Sequence, residues 1–199
     1  MISAYYSKGC DSHELFEHLK ISKAPEYEEK LNQYNVIRID LNSEYQNVRD
    51  KRLLIDRIEN RLEKEIKRQF PDLDCDETDS IADLIINVYS EFGEQFIIII
   101  DEYDVLVREQ ADSELFDKYL SFLNGLFKSA TIRPAIALAY LTGILPIIRD
   151  RVQSKLNNFM EYTILNAIEL AEFIGFTDDE VKVLCDQYGL AYDDCKSWY

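Results

Sequence analysis

Phe96-Ile97-Ile98-Ile99-Ile100-Asp101-Glu102-Tyr103-Asp104 is the stretch whose reading decides the fold. Five apolar residues without alternation predict a strand covered on both faces, as at the centre of a parallel sheet. Two acids follow at once, so both carboxylates stand at the strand's carboxyl edge, where open α/β sheets bind their ligands.

Working outward, the pattern alternates between strands and long helices. Upstream, Leu54, Ile58, Leu62, Ile66 and Phe70 recur every four residues with charges between them, and Pro71 stops this amphipathic helix. Before it, residues 36–41 alternate apolar and polar with the period of a strand. A helix over 81–92 is expected, capped by Asp79 or Ser80 and closed by Gly93. Short helices are expected over 12–19 and 27–33. Downstream, a helix over 114–129 turns Leu115, Tyr119, Phe122, Leu126 and Phe127 inward. Residues 135–141 then read as a second buried strand that delivers Thr142-Gly143 to its carboxyl end, and a shorter strand over 162–165 comes next. Thr177 and Glu180 have capping-box spacing before a helix that Gly189 ends. Strands alternating with helices give an α/β domain with a mainly parallel sheet and helices on both faces.

Composition narrows the class. The 199 residues are 47% hydrophobic with only 6 Gly and 4 Pro, which is globular. A net charge of −16 repels nucleic-acid phosphates, so direct nucleic-acid binding by this segment is not expected. Cys10, Cys75, Cys185 and Cys195 form no CxxC pair, and with only His13 and His18 available no zinc pattern emerges. Scattered thiols and the lack of a signal-like N-terminus point to a reducing, cytoplasmic setting. No apolar run approaches the roughly 20 residues that span a bilayer. There is no nucleophile elbow and no dinucleotide-binding glycine fingerprint.

The chemistry therefore rests on the strand ends. In a nucleoside triphosphatase the first acid after such a strand holds a hydrated magnesium ion and the second polarises the attacking water. Asp101 and Glu102 have the right types in the right order. A strand that merely ends in an acidic turn is the competing reading. Thr142, at the end of the next strand, can contact a γ-phosphate or its water, or can simply close a Thr-Gly turn. Tyr103 and Asp104 read as structural, closing the strand edge and capping the next segment.

These stretches, together with LTGIL (141–145), SKLNNF (154–159), FIGFTDDE (173–180) and the closing Trp198-Tyr199, resemble the predicted AAA-ATPase-like family of bacteria and archaea. Tyr5-Tyr6-Ser7-Lys8-Gly9 and Glu14-Leu15-Phe16 resemble the family's segment after its phosphate loop. The resemblance implies a three-layer sandwich of the P-loop NTPase type and ATP with Mg2+ as cofactors. Asp101 becomes the magnesium-side acid, Glu102 the water-activating acid and Thr142 the sensor. Arg149 and Arg151 become arginine fingers or phosphate contacts, against the commoner reading as helix-surface ion pairs. Family members often carry a PD-(D/E)XK nuclease-like domain downstream.

The family pattern also places a Gly-Lys-Thr phosphate loop just upstream of residue 1, and no Gly-Lys-Ser or Gly-Lys-Thr occurs in this sequence. Without it there is no amide nest and no lysine for the β- and γ-phosphates. The expectation is an incomplete domain. Residues 1–170 form the ATPase-like core without its first strand and phosphate loop, and residues 171–199 form a truncated start of a helical, lid-like segment. Such a chain does not hydrolyse ATP alone, and its incomplete sheet invites self-association or a protein partner. The alternative is a nucleotide-free acidic protein-interaction module on the same fold.

Overall fold

The computed structural model describes residues 1–145, 159–163, 166, 170, 173 and 175–198. They fall into two compact units, Met1–Asn158 and Phe159–Tyr199. The first unit is built on three parallel strands, β1 (Asn35–Asp40), β2 (Phe96–Asp101) and β3 (Ile136–Leu141), in the order β1-β2-β3. The FIIII run is thus the central strand, and each of its five apolar residues is buried. Burial of one such aliphatic side chain contributes about 1.5–3 kcal/mol, so this strand anchors the sheet. The expected α/β class is the observed one.

An aromatic satellite core forms at the chain's start. Tyr5 from α1 (Ile2–Tyr6), Phe16 from α2 (His13–Phe16) and Tyr27 from α3 (Tyr27–Lys30) pack with Leu31. Asn32, in the left-handed region at φ 56°, ties it together by donating from its amide to the carbonyls of Ala4 (2.9 Å) and Ser7 (3.0 Å). Asparagine tolerates that conformation better than most residues, which is why the chain can reverse here into β1.

Three longer helices pack against the sheet. After the short α4 (Leu41–Asn47), α5 (Leu54–Gln69) buries Leu54, Ile58, Leu62 and Ile66, as their spacing predicts. The helix α6 (Ile81–Phe92) starts with a reciprocal capping box between Ser80 and Asp83 and ends at Gly93, whose φ of 70° suits glycine. A single turn, α7 (Val105–Arg108), leads to α8 (Ser113–Phe127), capped by Asp112. Residues from α5, α6 and α8 share one core with Ile37, Ile39, Ile98 and Ile100, the residues that β1 and β2 turn to that side. In the second unit, α9 (Asp178–Tyr188) begins with the predicted Thr177–Glu180 capping box, and α10 (Tyr192–Ser197) follows the Gly189 turn.

The strand β3 departs from expectation. Its apolar sequence reads as buried on both faces, yet Leu138 is 38% and Tyr140 41% exposed. Their register partners on β2, Ile97 and Ile99, are buried. The difference follows from position: among the described residues β3 is paired on one side only and stands at the edge of the sheet they form. Of the expected strand over 162–165, residues 164 and 165 lie outside the described residues, and Thr163 and Asn166 form an isolated antiparallel bridge. Among the described residues, no helix is long and apolar enough to cross a membrane.

Candidate functional site

Parallel register aligns the carboxyl ends of the strands. Asp40 stands opposite Asp101, and Leu141 opposite Ile100, which brings Thr142 beside Asp101. The ladder runs one step further, since the Thr142 N–H donates to the Ile100 carbonyl (3.0 Å) and the Tyr103 N–H to the Thr142 carbonyl (2.9 Å). With its N–H and C=O both bonded to the β2 segment, Thr142 donates its hydroxyl to Oδ1 of Asp101. Two of the residues singled out from sequence are therefore in direct contact across 41 positions of chain.

Asp101 remains available. Its side chain is 45% exposed, and its other oxygen faces Arg38 of β1 at 3.8 Å. With Arg38 57% exposed, such a pair is worth at most about 1 kcal/mol and does not tie the carboxylate up. Glu102 is placed differently. It adopts φ 53°, a left-handed conformation that costs a non-glycine residue about 1–2 kcal/mol. Its carboxylate is held by the guanidinium of Arg108, at the end of α7. The chain thus turns sharply between the two acids and sends them to different cations.

Asp104 occupies the N-cap position of α7, but its side chain makes no cap hydrogen bond there and is turned to the loop 142–145 instead. It is fully buried, and its Oδ2 accepts from the backbone N–H groups of Ile144 (3.2 Å) and Leu145 (2.9 Å). Arg108 Nε lies 3.4 Å from the same oxygen, compensating a charge that would otherwise be costly to bury. Oδ1 of Asp104 has no hydrogen-bond partner among the described residues. Tyr103 adds a bond from its hydroxyl to the Leu145 carbonyl (3.3 Å), and its own carbonyl accepts from the buried Tyr119 hydroxyl (2.8 Å). Gly143 is required by this packing. A Cβ there would meet the Tyr103 ring at 2.6 Å and Asp104 Oδ1 at 2.8 Å. The acidic turn 101–104 and the loop 142–145 are knitted into one unit.

Asp40 shows the alternative fate of an acid at this edge. Its carboxylate accepts from the Ser43 N–H (2.9 Å) and hydroxyl (2.8 Å), capping α4. Those bonds hold its pKa below the usual carboxylate range. Arg149 and Arg151 lie outside the described residues. Sequence reading missed Arg38 and Arg108. The four-residue spacing of Asp104 and Arg108 was the available signal for the second, while Arg38 carries none.

Among the described residues, no three His, Cys, Asp or Glu side chains gather to enclose a metal ion. One accessible carboxylate beside one hydroxyl is instead the sparse donor set that suits hydrated magnesium shared with substrate phosphates. The residues fit that ion. For the triphosphate itself the 199-residue sequence offers no Gly-Lys-Ser or Gly-Lys-Thr nest. A family model described as predicted AAA-ATPase matches residues 1–153, which include every site residue above. No curated protein and no solved structure matches the chain.

Proposed function

The chain belongs to the predicted AAA-ATPase family, and from that premise we propose that its β2–β3 edge is the magnesium-and-water side of an ATP site. In a completed site Asp101 would hold the hydration shell of the ion, Glu102 would orient the attacking water, and Thr142 would contact the γ-phosphate. The observation that carries this reading is the Thr142–Asp101 hydrogen bond, which joins two adjacent strand ends while leaving the carboxylate accessible. A strand that merely ended in an acidic turn would not need its neighbour's hydroxyl on its first carboxylate.

Turnover needs more than this edge. Transferred phosphates require donors and cations aimed at the charge that develops. Arg108 is already committed to Glu102 and Asp104, and these residues supply no phosphate nest. The 199-residue chain by itself is therefore inactive in ATP hydrolysis. Calorimetry with magnesium-ATP, run beside Asp101→Asn and with phosphate release measured in parallel, tests this. The expected result is no saturable heat at millimolar nucleotide and no release above the variant's. Saturable binding that Asp101→Asn weakens would overturn it, because phosphate recognition would then come from other residues.

A second reading, a nucleotide-free acidic interaction module, is favoured by the edge strand β3. Its outer N–H and C=O groups are unpaired by any described strand, and Leu138 and Tyr140 are exposed on it. A second copy or a protein partner adding a strand there would satisfy both. Light scattering after gel filtration, in the same nucleotide-free buffer, separates the readings. A stable monomer or defined dimer favours the module, and aggregation or open-ended association, which an incomplete sheet invites, favours the ATP-site reading.

A further inference from the structure

Unit Phe159–Tyr199 contains a pair of thiols that the ATP-site reading does not use. Cys185, on α9, and Cys195, on α10, are both free, and their sulfurs lie 3.5 Å apart. The sequence separates them by ten positions. They meet because the chain reverses between the helices at Gly189, with φ 66°, where the Leu190 N–H bonds back to the Cys185 carbonyl (2.8 Å). Contacts on either side hold the two helices together. Lys196 reaches Asp178 at 3.5 Å, and the Lys182 ammonium lies 5.4 Å from the centre of the Tyr192 ring.

We propose that Cys185 and Cys195 form a reversible modification site, a dithiol that a peroxide-class oxidant converts to a disulfide bridging α9 and α10. A disulfide bond needs a sulfur separation of about 2 Å, so closure requires a movement of about 1.5 Å, within reach of side-chain rotation. Metal binding is the competing use of a cysteine pair, but among the described residues no third ligand joins them. The two thiols differ in access. Cys185 is 4% exposed, and burial pushes its thiol pKa up, whereas Cys195 is partly exposed and meets a diffusing oxidant first.

The chemistry balances in two steps. Cys195 thiol and hydrogen peroxide give Cys195 sulfenic acid and one water. The Cys185 sulfur then attacks that sulfur, the S–S bond forms, and the departing hydroxyl leaves as a second water with the Cys185 proton. Two electrons pass from the thiols to the peroxide. A dithiol reductant reverses the bridge by exchange.

The test uses the full 199-residue chain, which carries its own controls in exposed Cys10 and half-buried Cys75. The protein is treated with hydrogen peroxide, quenched, alkylated with a maleimide and weighed by mass spectrometry, natively and in denaturing urea. The expected native product has lost two hydrogens and two of its four reactive thiols, and yields a cross-linked peptide pair containing Cys185 and Cys195. It returns to four thiols on reduction. Folding should speed bridge formation at least about tenfold over urea, because the native state holds the two sulfurs close before the reaction begins. In Cys185→Ser the sulfenic acid persists on Cys195 and is trapped by dimedone. A bridge to Cys10 or Cys75, no intramolecular bridge, or equal rates in native and urea samples would overturn the proposal. The comparison of native with unfolded wild-type protein stands even if a serine variant fails to fold.

Discussion

Asp40 and Asp101 occupy matching positions at the carboxyl ends of neighbouring strands, yet they take different partners. After Asp40 the chain enters α4 at once, and Ser43 presents its N–H and hydroxyl to the carboxylate. After Asp101 it turns through the left-handed Glu102, so no helix start reaches back, and among the described residues the one tight partner is the Thr142 hydroxyl beyond β3. The same residue type at the same level of the same sheet thus becomes a helix cap in one place and an accessible acid in the other. The path of the next three residues decides between the two fates.

The largest effect should come from breaking the contacts that hold the open site in shape. Asp104→Ala removes the buried carboxylate that ties the loop 142–145 to the acidic turn and strands the Ile144 and Leu145 N–H groups. A loss of about 3 kcal/mol in urea unfolding is expected, with weakened packing around Thr142. An unchanged stability would mean that the two segments hold their positions without Asp104.

Asp40 offers a smaller, pH-dependent contrast. Asp40→Ala should cost about 1 kcal/mol, the usual value of a lost N-cap. The Ser43 bonds lower the carboxyl's pKa in the folded state. Its stabilisation is therefore complete above the unfolded value near 3.8 and is lost as pH falls through the lower folded value. The stability difference between wild type and Asp40→Ala, followed by urea unfolding from about pH 6 to about pH 2.5, should shrink only at the acid end. A difference that stayed constant over that range would show that the carboxylate charge is not the group that caps α4.

The two acids also mark how far a sequence can be read. The β2 run and the carboxylates behind it were legible because an unbroken apolar strand has few alternatives and a strand end is a defined place. The helix Leu54–Gln69 and the Thr177–Glu180 box were legible because their signals are local spacings. The divergence of Asp40 and Asp101 was not, since it depends on the φ of Glu102 and on a serine bonding back three residues. Nor was the work of Asp104, whose partners lie 40 and 41 positions away. The exposure of β3 was misread for a related reason: Ile, Ala and Leu look alike in a central strand and at an edge, and only the number of neighbours tells them apart. Cys185 and Cys195 match no helical spacing, and the Gly189 reversal alone brings their sulfurs together.

The proposed site makes Asp101, and not Asp40, the acid that takes a divalent ion. Manganese titration followed by NMR tests this most directly, because the paramagnetic ion broadens the amides nearest to it. At millimolar manganese the amides of residues 101 and 142 should broaden before those of 40 and 43, and Asp101→Asn should abolish the effect at Thr142. Equal broadening at both strand ends, or broadening at Thr142 that survives Asp101→Asn, would contradict the assignment.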